Sequence, residues 1–321
     1  MQYAMLLWPH ANARYQNESA RLARCELELS LRKIHLEHEI LPESAFPLPG
    51  LRFEIPRALA AEEVSVLSRQ SLLYGLFESR PDGSLFPVAG RAEVSIGADL
   101  PAILKYKGKT NEQFTQLLIN LAFLSGNLPE NPAFLDPMCS RGTSVFVAAN
   151  RGWDATGSDI DKADLCEAEN FLKRYLEYHR LKYRLRSGSL TLAEKKSARF
   201  AEFCLSDQRL RFALLDARRV REAFGKKKFH ILASDLPYGV QHSGLSLDSL
   251  LLDALPAWRE VLAPGGAVAL SFNAQTLPLA RVRALLEQAG FLVMREGPYD
   301  SLSHWVEQSV TRDVAVGVVP L

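Results

Sequence analysis
The chain is poor in the features that announce a secreted, membrane-spanning or metal-bound protein. Its four cysteines, Cys25, Cys139, Cys166 and Cys204, are scattered and form no CxxC pair. This argues against a zinc site or a disulfide framework and fits a reduced, cytoplasmic setting with no metal. No apolar run approaches the ~20 residues that span a bilayer. The opening MQYAMLLWPHANARYQ lacks the basic flank of a signal peptide, so no membrane partner is expected. Internal repeats and low-complexity tracts are absent. Net charge is also nearly absent, at +1 over 321 residues, in a composition of 47% hydrophobic and 23% charged residues that suits a globular protein. The balance hides an asymmetry. Residues 173–228 hold 17 Lys+Arg against 6 Asp+Glu, a net +11, which leaves about −10 for the rest.

The first hundred residues read as a small α+β unit. YAMLLWP, GLRFEIP and SLLYGLFES have the character of strands, and NESARLARCELELSLRKI has helical spacing with Asn17 or Ser19 as its cap. Asp82-Gly83 between apolar runs signals a hairpin. A boundary is expected near residue 104, giving an N-terminal domain over 1–104 and a second domain over 105–321. Thr110 or Asn111 then caps a helix that stops at Gly126. KYKGKTN (105–111), just before that helix, reads either as a segment closing over a ligand or phosphate or as a solvated linker.

From residue 131 strands and helices alternate: AFLDP, GTSVFVAANRG, DATGSDID, a long helix from Lys162, LRFALLDA, FHILASD, LDSLLLDALPAWREVL, AVALSFN, LARVRALLEQAG, FLVMREGP and DVAVGVVP. Such alternation implies an α/β fold with a largely parallel sheet, covered on both faces and binding ligands at the carboxyl ends of its strands. The closing strands look like a hairpin, so one late strand is expected to run antiparallel. Three strand ends carry acids. Asp136 precedes CSRGT, which turns into a helix whose N-terminus would favour a carboxylate. Asp159 stands where an acid would accept ribose hydroxyls, and Asp216 where one would read an adenine amine. Any one of them alone is as readily a helix cap. A fourth, Asp235, ends the next strand. The first loop holds only Gly142 and no GxGxxG, which argues against a nicotinamide dinucleotide.

FLDPMCSRGT resembles the D-P-x-C-G-S-G-T motif of class I S-adenosylmethionine-dependent methyltransferases, and SDLPYG resembles the D-P-P-Y motif of those that methylate amines. The likeness is greatest to the RNA methylases that include the tRNA guanosine-N2 enzymes, and GSDID and PGG fit it too. It covers about residues 105–321 and implies a Rossmann-like, seven-stranded methyltransferase sheet with S-adenosyl-L-methionine as cofactor. The implied cofactor set is Asp136, Met138, Cys139, Gly142, Thr143, Asp159, Ile160, Asp216, Ala217 and Asp235. Cys139 is read as small buried packing. Ser140 and Arg141 replace Gly and Ser of the first motif, and Leu236 replaces the first Pro of the last. Residues 1–104 show no recognisable THUMP domain.

The implied catalytic residues are Asp235, Leu236, Pro237 and Tyr238. An exocyclic base amine is a poor nucleophile because its lone pair is delocalised into the ring. The Asp235 carboxylate and the Leu236 carbonyl can draw its N–H groups out of plane and aim the lone pair. The carboxylate also stabilises charge developing on nitrogen. Pro237 stiffens the turn, and Tyr238 offers a face for an extruded base. His242 follows as a further candidate for substrate contact.

The basic stretch is read as a helical insertion around 173–200 facing nucleic acid, with RNA the favoured partner. Lys173, Arg174, Arg180, Lys182, Arg184, Arg186, Lys195 and Lys196 would meet phosphate. Tyr175, Tyr178, Tyr183 and Phe200, interleaved with them, suit unpaired RNA. A solvated surface is the plainer alternative. Competing functions are a DNA adenine or cytosine amino-methyltransferase, a protein glutamine methyltransferase, and a non-enzymatic nucleic-acid-binding module on a degenerate cofactor fold.

Overall fold
The computed structural model describes residues 1–9, 13–42, 49–106, 108–226, 228–238 and 246–321, without the side chains of 13–17 and 195. His242 and the Lys195 side chain, both singled out from the sequence, lie outside the described residues. The chain forms two compact units, Met1–Glu93 with Arg295–Arg312, and Val94–Met294 with Asp313–Leu321. The division thus falls at 93/94 rather than 104/105, and a late segment belongs to the first unit.

The first unit contains β1 (Gln2–Leu7), α1 (Ala13–Lys33), β2 (Glu39–Ile40), β3 (Gly50–Glu54), α2 (Ala61–Leu67), β4 (Leu73–Ser79) and β5 (Leu85–Ala89). The strands form one sheet, ordered β2-β3-β1-β4-β5. Alternate residues of β1, Tyr3, Met5 and Leu7, meet Ala23, Leu27 and Leu31 of α1 in a shared core, as period-2 and period-4 spacing dictate. Helix α1 begins at Ala13, so Asn17 and Ser19 lie inside it and neither caps it.

The second unit contains α3 (Leu100–Ile103), α4 (Glu112–Ser125), β6 (Phe134–Asp136), α5 (Thr143–Ala149), β7 (Ala155–Asp159), α6 (Lys162–Tyr178), β8 (Arg184–Thr191), β9 (Ser197–Cys204), β10 (Arg209–Leu214), α7 (Val220–Phe224), β11 (Phe229–Asp235), α8 (Leu247–Val261), β12 (Leu262–Asn273), α9 (Leu279–Gln288) and β13 (Leu292–Val293). β14 (His304–Glu307) falls in the late segment of the first unit, and β15 (Val310–Val318) runs from that segment into the second. The sheet order is β13-β15-β12-β11-β6-β7-β10-β9-β8. From β13 to β10 this is the seven-strand order of the Rossmann-like class I methyltransferase sheet. The run from β12 through β11, β6 and β7 to β10 is parallel, and β13 pairs antiparallel with β15. The order reverses between β6 and β11, so the crevice opens at their carboxyl ends, where Asp136 and Asp235 stand.

The expected helical insertion is corrected. Helix α6 stops at Tyr178, and β8 and β9 form an antiparallel hairpin, Arg184 opposite Cys204 through Thr191 opposite Ser197, which adds to the edge of β10. The Lys, Arg and Glu content favours helix locally, and pairing of β9 with β10 overrides it. The remaining helices follow their sequence signals. Asn111 caps α4 by accepting from the Gln113 N–H at 2.7 Å, and Gly126 ends it. Among the described residues no helix is long and apolar enough to cross a membrane.

Candidate active site
A cleft of about 530 Å³ opens over the carboxyl ends of β6, β7, β10 and β11, lined by Asp136, Asp159, Asp216 and Asp235 among others. That volume is typical of a small-molecule site. All four acids singled out from the sequence are therefore brought to one cavity, together with Met138, Cys139, Thr143, Ile160, Ala217, Leu236, Pro237 and Tyr238.

Asp136 is the floor. It is 4% exposed and accepts from the Met138 N–H at 3.0 Å, from Ser234 Oγ at 2.8 Å and from Ser144 Oγ. Burial pushes its carboxyl up to about 6, against the pull of those donors. Asp159, at the end of β7, accepts from the Ser140 N–H at 2.8 Å on one oxygen and from the Asp161 N–H at 3.0 Å on the other. Burial raises its carboxyl as well. Asp216 is not a bare acceptor. Arg218 Nε at 3.0 Å and Nη2 at 2.6 Å clasp it, and that guanidinium holds its carboxyl below the usual range. The pair, rather than the lone carboxylate, borders the cleft.

The loop from β6 to α5 explains the departures from the methyltransferase motif. Ser140, where the motif has glycine, sits at φ +46°, a left-handed conformation that costs a non-glycine residue of order 1 kcal/mol. It is held there by its N–H on Asp159 and by its Oγ, which donates to Asp164 at 2.7 Å. Arg141 bonds Asp164 at 2.9 Å and Glu167 at 2.5 Å, and its guanidinium lies 4.8 Å from the Tyr106 ring centre. Gly142 has φ +83°, and a Cβ there would meet Phe212 at 2.8 Å, so only glycine fits the turn into α5. Cys139 is buried with its thiol pushed well up by burial. It packs over Gly157, where a Cβ would come within 2.6 Å of its sulfur.

Asp235 ends β11 with a partner on each oxygen. The Tyr238 hydroxyl donates to Oδ1 at 2.6 Å, and the Thr110 hydroxyl donates to Oδ2. Leu236 is 1% exposed, and its N–H donates to the Ser271 carbonyl at 2.8 Å. A proline at this position could not make that bond.

Two residues of KYKGKTN, read from the sequence as either closing over a ligand or a solvated linker, reach the site: Thr110 bonds Asp235 and Tyr106 reaches Thr143 Oγ at 3.3 Å, and both line the cleft. Ser234 was seen only as a strand residue. The one available signal was the polar interruption of an apolar strand by Ser234-Asp235. Lys109 of the same KYKGKTN segment turns to the Pro101 carbonyl at 2.6 Å. Among the described residues no cluster of three metal-ligating side chains occurs.

The basic residues are exposed: Lys173 and Arg174 on α6, Arg180 and Lys182 after it, Arg184 and Arg186 on β8, and Lys196 near the hairpin turn. Arg186 lies 3.8 Å from Glu202 and Lys196 2.9 Å from Glu194. The interleaved aromatics are corrected. Tyr175 is buried at 5% exposure, Tyr183 and Phe200 are half-buried, and only Tyr178, 83% exposed, stands open.

No protein-family model and no curated protein sequence matches the chain. Among solved structures it is similar to TrmN from Thermus thermophilus, with 18% identity over 100% of both chains and a TM-score of 0.48. It is also similar to the magnesium protoporphyrin IX methyltransferase ChlM from Synechocystis PCC 6803 with bound SAM, at 16% identity, 67% of this chain, 86% of that one and a TM-score of 0.44. A TehB-like SAM-dependent methyltransferase from Corynebacterium glutamicum gives 16% identity, 60% and 82% coverage and 0.37. All lie below 25% identity and a TM-score of 0.5, so strand order and site geometry carry the functional argument instead.

Proposed function
We propose that the chain is an S-adenosyl-L-methionine-dependent N-methyltransferase acting on an exocyclic amine of a nucleobase in RNA. The observation that carries this reading is the Asp235 carboxylate, oriented by two hydroxyls in the same cleft as Asp159 and Asp216. The donor set suits the cofactor. Each Asp159 oxygen accepts from one backbone N–H and retains a lone pair for a ribose hydroxyl, and Ile160, 56% exposed beside it, offers an apolar face at the rim. Met138 and Ala217 would flank the same ligand, and the Asp216–Arg218 pair would meet the base. Bound there, the cofactor supplies a sulfonium methyl group.

This chain's part is to orient the amine. The Asp235 carboxylate and the Leu236 carbonyl accept its two N–H groups, with the Asp235–Leu236 peptide anchored through the Leu236 N–H on Ser271. The incoming amine displaces the hydroxyl on Oδ1, which leaves the Tyr238 ring to stack on the base. Charge appearing on nitrogen is met by the carboxylate. RNA is favoured as the carrier because Lys173, Arg180, Lys182 and Arg184 are exposed and make no ion pair among the described residues.

The test is transfer of tritiated methyl to total tRNA, ribosomal RNA and DNA by wild type and Asp235→Ala, followed by nucleoside mass spectrometry. An N-methylated RNA nucleoside is expected, lost at least a hundredfold in the variant while cofactor affinity stays within a few-fold. Label in DNA or protein alone would reassign the substrate. A ribose- or carbon-methylated product would remove the amine-orienting role.

A further inference from the structure
A second depression, of about 880 Å³, runs along α6 beside α3. Glu167, Phe171, Arg174 and Tyr178 recur at helical spacing along it. We infer that this groove carries an unpaired RNA strand, with Tyr178 as a platform for a stacked base. The inference rests on the RNA reading above and gives that substrate a path. The aromatic floor is continuous: Phe171 lies 6.0 Å from Tyr175, Tyr175 4.2 Å from His179, and His179 5.1 Å from Tyr178 at 80°. Tyr178 is 83% exposed, so its ring is open to a base.

The charge suits a polyanion. Of the two acids that line the groove, Glu167 is neutralised by Arg141 at 2.5 Å, and Asp99, which keeps its charge, accepts from the Tyr175 hydroxyl at 2.5 Å. The base Arg174 spends only Nε, on the Asn170 carbonyl of its own helix. Arg180 and Lys182 follow the end of α6, exposed and without an ion pair among the described residues. The groove lies beside the cleft. Arg141 binds both Glu167 of the groove and Asp164 of the cleft. From Asp164 to Tyr178 along α6 is about 21 Å at the helical rise, a span that suits a polymer rather than a free nucleotide.

The experiment measures fluorescence anisotropy of a labelled, unstructured 15-nucleotide RNA, and of the same RNA as a duplex, with the full chain. Wild type, Tyr178→Ala and Tyr178→Trp are compared, with S-adenosylhomocysteine affinity as the control for folding. Tyr178→Ala is expected to bind the single strand about tenfold more weakly, the loss of one stacked base. Tyr178→Trp should restore binding, and the duplex should be little affected. Unchanged single-strand affinity in Tyr178→Ala overturns the groove and leaves the RNA reading standing. Equal losses on strand and duplex overturn recognition of an unpaired base. A wild type that binds neither RNA overturns the RNA reading, and the groove with it.

Discussion

The Thr110 hydroxyl donates to Oδ2 of Asp235 across 125 residues of sequence, while Tyr238 occupies Oδ1. The carboxylate plane is thereby set by this chain before any substrate arrives. Thr110→Val keeps the shape and removes the donor. A hydrogen bond to a charged group is worth about 1.5–3 kcal/mol, so single-turnover methyl transfer should fall roughly ten- to a hundredfold, with cofactor affinity nearly unchanged. Thr110→Ser should retain most of the rate. Wild-type turnover in Thr110→Val would detach the hydroxyl from the reaction.

Asp159→Ala should weaken both S-adenosylmethionine and S-adenosylhomocysteine, again by about 1.5–3 kcal/mol. Part of that loss reflects the Ser140 and Asp161 N–H groups left without their acceptor. Titration calorimetry measures it, with circular dichroism to verify the fold. Equal affinities would take Asp159 out of the cofactor site.

Burial raises the Asp136 carboxyl to about 6, above the ~3.9 of an unfolded chain. The folded state therefore holds the proton more tightly. Stability from this group is complete below pH ~4 and is lost as pH rises towards 6. Asp136→Asn has no such titration. Between pH 4 and 6 the melting temperature of wild type should fall relative to that of the variant, and above pH 6 the difference should be constant. A difference that did not vary with pH would contradict the raised value.

Reversal of Lys182, Arg184 and Arg186 to Glu should weaken RNA binding and flatten its dependence on salt, because fewer counterions are released. Glu202 keeps its partner Arg211 after the change, so cofactor affinity should hold. Anisotropy over a salt series is the measurement. An unchanged affinity and slope would move the substrate surface elsewhere.

The sheet was legible because its parallel strands are buried on both faces, and their apolar runs, such as the one ending at Asp235, cannot be mistaken for surface. The acids at the strand ends were legible for the complementary reason: a charge that closes a buried run needs an explanation. The hairpin of β8 and β9 was not legible. Its strand pairing is decided by the edge of β10 and not by local propensity, and Arg184 to Thr191 is almost wholly exposed or half-buried. The partners of Thr110 and Tyr106 were hidden because nothing local to KYKGKTN says which strand end it will meet. The clasp of Asp216 by Arg218 lay two residues away in the sequence, yet only side-chain geometry reveals it.

Arg295–Arg312 belongs to the first unit although most of that unit precedes residue 94. Arg21 of α1 donates to the Ser301 and Ser303 carbonyls, and the Cys25 thiol lies 3.6 Å from the Ser301 carbonyl. During synthesis these acceptors arrive some 280 residues after the Arg21 that needs them. At ~5–20 residues per second that is roughly 14–56 s. Through that interval the first unit is incomplete, and the larger sheet up to β13 is made before it closes. The late segment therefore couples completion of the small unit to nearly complete translation of the chain.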